Sequence, residues 1–199
     1  MAVYNAIKYN VDFLGHAGHL VPIASTTFSN SSGVEFTTLK QTDFDEHLVV
    51  VLDFHNDTDN RQCTISFSSD GSSYDRPVVS TFINAAKRED DGVDGGGFNF
   101  QDDFSHGGGT SGQEVMVDNA NDYDNASFGI IRLYNLGSAT FVKHYLSEFA
   151  GMSSGGSNPD AASHHMAAGY VNDTSAVTAL KFDSNEGTID GTIKIFGVR

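Results

Sequence analysis

Tryptophan is absent, cysteine occurs once, proline three times, and lysine plus arginine number only 11 in a chain of 199 residues. Each scarcity removes a class of explanation. A lone Cys63 permits no intrachain disulfide and offers no thiol ligand set for a metal, so it reads as a small residue within a strand. Against the 11 basic residues stand 26 acidic ones, a formal charge of −15. Lys87-Arg88 is the single adjacent basic pair, so the phosphate-neutralising footprint of a nucleic-acid binder is missing. No apolar run approaches the about 18 residues that mark a membrane span. The opening MAVYNAIKYNVDF has neither the charged start nor the apolar stretch of a secretory signal. The expectation is a soluble, cytoplasmically made chain with no nucleic acid and no membrane among its partners. Helical periodicity is nearly absent as well, and so few prolines leave β ladders uninterrupted.

What the chain does have is enough apolar material for a core: 39% hydrophobic residues, with 15 Phe and 7 Tyr. Short runs rich in Val, Ile, Thr, Phe and Tyr recur between clusters of Gly, Ser, Asn and Asp. They read as strands near 36–39, 48–54, 63–67, 77–83, 114–117, 127–134, 140–146, 165–171, 176–182 and 192–198. Many short strands without helices mean an all-β fold, an antiparallel β-sandwich or a barrel. Asn135-Leu-Gly-Ser138 and Asp183-Ser-Asn-Glu-Gly187 read as hairpin turns. Leu48, Val50, Leu52, Ile65, Phe67, Ile131, Leu133, Leu180 and Ile195 are the expected core. Residues 29–199 form the expected sandwich, and residues 1–28 an extended arm.

Two segments break the strand pattern, 89–113 and 151–163, both rich in Gly and the first rich in Asp. They are longer than ordinary connections. Phe98, Phe100 and Phe104 in the first suggest ordering against a neighbour, because three large apolar side chains in one loop would otherwise face water.

The chemistry-bearing residues form no recognisable catalytic set. His16-Ala-Gly-His19 and His164-His165 have ligand-like spacing but no Cys or evident carboxylate nearby, and solvent-facing loop histidines are the expectation. Asp57-Thr-Asp59-Asn60 opens like a calcium loop, yet Gln62 replaces the turn glycine and the closing glutamate is missing. Asp90, Asp91, Asp94, Asp102 and Asp103 read as an acidic solvated loop, with a loose cation site as the alternative. No Gly-x-Ser-x-Gly elbow and no phosphate loop occurs. No catalytic residue, metal ligand or cofactor is assigned.

The order of features in Ser32-Gly-Val-Glu-Phe36, Leu48 to Phe54, Ile65-Ser-Phe-Ser-Ser-Asp-Gly-Ser-Ser-Tyr74, Gly129-Ile-Ile-Arg-Leu-Tyr-Asn135 and Gly191-Thr-Ile-Lys-Ile-Phe-Gly-Val198 is familiar. It resembles small β-sandwich virion proteins of tailed bacteriophages, the head-decoration, head-fibre and tail-fibre subunits, from about Ser32 to the C-terminus. The chain departs from them in Phe196, where Tyr is usual, and in the acidic insert after Arg88. The resemblance implies a jelly-roll-like sandwich located on the virion. It also implies a symmetric homo-oligomer, expected to be a trimer, whose closure protects sheet edges. The arm would dock onto the major capsid or another virion protein. The alternative is a receptor-binding module of a tail or head fibre. There Phe98, Phe100, Phe104, Tyr123 and Tyr170 would contact host surface glycan, or, on the plainer reading, pack within the subunit. A glycan-degrading enzyme is the remote alternative.

Overall fold

The computed structural model describes residues 20–90, 99–121, 124–153 and 160–199, and within them the chain is built from strands and one short 3-10 turn, Asp102–Phe104. The strands are β1 (Leu20–Ser31), β2 (Val34–Phe36), β3 (Glu46–Asn56), β4 (Arg61–Ser68) and β5 (Val78–Arg88). They continue with β6 (Asn99–Phe100), β7 (Gly107–Gly109), β8 (Gln113–Asn119), β9 (Ser127–Tyr134) and β10 (Lys143–Ser153). The last are β11 (Ala161–Val171), β12 (Ala179–Ser184) and β13 (Ile189–Val198).

Four antiparallel ribbons organise them. β1 pairs β13, β2 pairs β12, β3 pairs β9, and β4 pairs β8. Strands from the two ends of the chain thus run together as one folded-over ribbon. Side pairing of β13 with β3 and of β12 with β4 then rolls the ribbon into two sheets, β1-β13-β3-β9 and β2-β12-β4-β8. This is jelly-roll winding. All of its pairings are antiparallel, as the alternating segments imply. The larger sheet does not stop at β9 but continues through β10, β11 and β5, with the short β6 and β7 on β5. A bridge from Ser153 to Asn119 joins the two sheets into a nearly closed barrel.

Sequence chemistry explains most of this. In β9, Ser127, Gly129, Ile131 and Leu133 are buried while Phe128, Ile130 and Arg132 are exposed, the period of two that a one-faced sheet demands. Inward residues of both sheets form one core, including Val49, Val51, Phe54, Ile65, Phe67, Ile131, Leu133, Phe149, Leu180, Phe182, Ile193 and Ile195. Cys63 is fully buried in β4. In the turn after β4 the Asp70 carboxylate accepts the N–H of Ser72 and of Ser73, each at 2.8 Å, and Gly71 takes φ 77°. Those donors hold the Asp70 carboxyl well below the usual range.

The structure departs from three expectations. In β3 the phase is inverted: Val49 and Val51 point inward, while Leu48, Val50 and Leu52 are half-buried on the outer side. The run Leu-Val-Val-Val-Leu is apolar at every position, so alternation cannot assign its faces. The second expected hairpin is absent among the described residues. β12 and β13 belong to different sheets, and residues 185–188 arch between them. Asp57 anchors that arch by accepting the backbone N–H and the hydroxyl of Thr188, at 2.7 and 2.8 Å. The calcium-like opening at Asp57 is therefore a loop clamp. The boundary at residue 28 falls inside β1, where Ile23, Ala24 and Phe28 pack on the core. Residues 1–19 of the expected arm lie outside the described residues.

A chain lacking residues 1–28 should accordingly lose at least about 3 kcal/mol of stability, roughly 6–12 °C in Tm. Differential scanning fluorimetry reads this directly. An unchanged Tm would mean that β1 contributes nothing to the sandwich.

Candidate functional site

The extended sheet has two faces of unlike chemistry. Its inner face is the core. On the outer face, strand register aligns side chains in rows across the sheet. One row runs Phe196, Leu48, Arg132, Leu146, Ala168 and Thr81. The next runs Lys194, Val50, Ile130, Glu148, Met166 and Ile83, and β6 adds Phe100 beside Ile83. A third row sets Phe128 beside Ala150, His164 and Ala85, with Thr192 beside Leu52 nearer β1.

An antiparallel sheet that faces water on one side usually carries polar residues there. This one carries Phe128 and Phe100 at 60% exposure, Leu146 at 42% and Ile130 at 38%. The formally charged residues of these rows are Lys194, Arg132 and Glu148, on a chain of −15. Glu148 pairs with His164 at 3.0 Å, and Arg132 with Glu46 at the margin of the face. The smaller sheet is the opposite case. Its outward positions include Glu35, Glu114 and Asp183, with Lys181 bonded to Asp183 at 2.7 Å. On the larger sheet's outer face the carboxylates of Glu46, Glu148 and Asp190 are met by Arg132, His164 and Lys194, and the middle of the face is mostly apolar.

The sequence-derived contact residues divide. Phe100 stands on the outer face. Tyr170 does too, with its ring centroid 5.8 Å from that of His144, beside an open groove of about 350 Å³ whose lining includes Thr81 and Ala168. Phe104 turns inward, edge-on to Phe82 at 5.6 Å, and closes a small satellite core with Val117 and Ala167. It packs within the subunit. Phe98 and Tyr123 lie outside the described residues. The structure therefore brings Phe100 and Tyr170 to one face and sets Phe104 apart.

Phe128, Ile130 and Leu146, exposed on the same face, are not among the expected contact residues. Their signal was present, because β9 is apolar at outward as well as inward positions, which a strand with one wet face does not require.

The histidine pair resolves differently from its expectation as loop residues. Both lie in β11, where neighbours point to opposite faces. His164 points outward to Glu148, while His165 is 2% exposed and its Nδ1 accepts the N–H of Val117 at 3.0 Å. They cannot share a metal. Asp90 is paired with Arg88 at 2.7 Å, and Asp102 and Asp103 are exposed in the 3-10 turn. Among the described residues, no group of three or more His, Cys, Asp or Glu side chains could hold a metal ion. Asp91, Asp94, His16 and His19 fall outside them.

Elsewhere the polar clusters are structural. Lys143, fully buried at the start of β10, donates from Nζ to the Asp173 carbonyl at 3.0 Å, and the Asp173 carboxylate takes Arg76 at 2.7 Å. Burial pushes the Lys143 amine down, with Asp173 opposing. His106 meets Glu114 at 2.6 Å, and Tyr145 donates to Gln113 at 2.8 Å beneath β5. The feature that stands out is the mostly apolar centre of the larger sheet's outer face. No protein-family model, no curated protein and no solved structure matches this chain.

Proposed function

We propose that this chain is a structural subunit of a tailed-bacteriophage virion, displayed on the particle exterior as a symmetric oligomer, expected to be a trimer. The observation that carries the reading is the four-ribbon jelly-roll winding with its larger sheet extended by β10, β11 and β5. Jelly rolls serve repeatedly as viral capsid and lectin domains. A winding that pairs both ends of the chain makes a stiff unit, and a mostly apolar outer face on a strongly acidic chain suits a component that assembles.

A glycan-recognising fibre module is the second reading. It draws on the groove beside Tyr170 and His144, where an aromatic shelf borders polar side chains.

The test uses purified particles of the phage that carries this gene, labelled with antibody against the chain. Labelling of intact particles, with purified protein leaving host adsorption unchanged, is the expected result. Protein that blocks adsorption moves the assignment to receptor binding. Particles that neither label nor contain the chain by mass spectrometry contradict a virion role.

A further inference from the structure

We propose that the outer face of the larger sheet, centred on Val50, Phe128, Ile130 and Leu146, is buried against a second copy of this chain. The inference rests on the structural-subunit reading in that it names the surface through which such a subunit would assemble.

Three observations converge on that occupant. The first is charge. Two copies at −15 repel wherever their acidic surfaces meet, and Coulomb repulsion between like charges disfavours the encounter. The central rows of this face hold only Lys194 and Arg132 against Glu148. With Glu46 and Asp190 only at its margins, its centre is a region where another copy can approach with its few charges balanced, while the smaller sheet carries Glu35, Glu114 and Asp183 against Lys181. A basic partner would instead be drawn to the acidic surface and away from this face.

The second is size. Strands β1, β13, β3, β9, β10, β11 and β5 lie about 4.8 Å apart and the longer ones reach about 35 Å, giving a curved outer surface of roughly 900 Å². A stable interface removes about 800 Å² from each partner, so a second copy must cover most of this face.

The third is composition. Phe128, Ile130 and Leu146 are exposed large apolar side chains on the neighbouring strands β9 and β10, and the row from Ile130 continues through Glu148, Met166 and Ile83 to the exposed Phe100. Contiguous apolar patches of that kind mark association surfaces. Phe128 and Ile130 flank the space between β9 and β10 over Gly129, forming with Ala150 and the Glu148–His164 pair a recess of about 230 Å³ that an aromatic or aliphatic side chain of the opposing copy can fill.

The experiment is the native mass of the full-length chain by multi-angle light scattering from 1 to about 100 µM. Wild type should run as an oligomer. The double substitution Phe128→Glu with Ile130→Glu, both at exposed positions, should yield monomer with an unchanged far-ultraviolet circular dichroism spectrum. That corresponds to a loss of at least about 100-fold in association. Lys181→Glu, on the smaller sheet, should leave the wild-type mass. A wild-type monomer throughout the range, or a double variant that keeps the oligomeric mass, overturns the proposal. If the double variant is misfolded by circular dichroism, Leu146→Lys in its place must dissociate the oligomer, and retention of mass overturns the proposal. A monomeric wild type whose binding to particles is lost in the double variant overturns it in favour of a different partner. A chain absent from particles but dissociated by these substitutions would sink the virion reading while supporting this interface.

Discussion

Phe149→Ala is expected to destabilise the protein by about 3–5 kcal/mol, the cost of emptying a fully packed aromatic site. Phe149 is 1% exposed on β10, and its cross-strand partner on β9 is Gly129. The ring lies over that glycine so closely that a Cβ there would collide with it. Gly129 is thus the space into which the ring folds, an aromatic covering a glycine within the sheet. It follows that Gly129→Ala should cost about 1–3 kcal/mol through overpacking. The double variant Gly129→Ala/Phe149→Ala should be more stable than the sum of the two losses, because the added methyl then enters the vacated volume. Urea denaturation of the four proteins measures the coupling. Strict additivity would mean that ring and glycine do not share the space. Gly197 under the Phe44 ring repeats the arrangement at the far end of β13.

Acidification from pH 6.5 to 4 is expected to remove roughly 3 kcal/mol of stability through His165 alone. Burial, and secondarily the neighbouring His164, pushes the His165 imidazole down to about 4. The ring must stay neutral to accept the Val117 N–H, and it packs edge-on against Phe82 at 5.7 Å. Unfolded, the same imidazole takes up its proton near the ordinary 6.5. Between about 6.5 and 4 the unfolded state therefore binds more protons, and stability falls as pH falls. The contribution is complete above the unfolded value and gone below about 4. Burial also lowers the His47 imidazole, whose Nε2 faces the Leu39 carbonyl at 2.9 Å, and it acts in the same direction. The carboxylates of Asp57, Asp70 and Asp173 are held below their usual range by backbone N–H donors. Their share is present above the ordinary carboxylate range and is lost only as pH falls through their lowered folded values. The two processes occupy separate windows. His165→Gln, which retains an acceptor, should flatten most of the change between pH 6.5 and 4 in a Tm-against-pH series. An identical slope in the variant would assign it elsewhere.

Local chemistry made much of the fold legible. Alternation marked β9 at its observed ends, and Asn135-Leu-Gly-Ser138 is the turn that joins it to β10. β1 escaped because Leu20–Ser31 contains Pro22, is polar at all but Phe28 from Ser25 onward, and its pairing with β13 is interrupted by bulges. The arch at 185–188 reads locally as a hairpin because the same Asp, Asn and Gly residues build both, and only the distant Asp57 decides between them. The ribbon pairs were illegible for a related reason, since β1 and β13 meet from opposite ends of the chain and nothing local encodes that partnership. Of the candidate site, Phe100 and Tyr170 were visible as aromatics among loop-like residues. Phe128 and Ile130 were not, because an apolar residue in a strand is ordinarily assigned to the core. Only the register of the folded sheet shows that β3 and β9 have two apolar faces and a single core to fill.

A cryo-electron microscopy map of the phage particle tests the assignment most directly. The account predicts external density fitting this thirteen-stranded jelly roll in symmetric copies, with Phe128, Ile130 and Leu146 hidden between neighbours. Density that places the chain as isolated copies with that face open to solvent, or a particle that lacks the chain altogether, would contradict it.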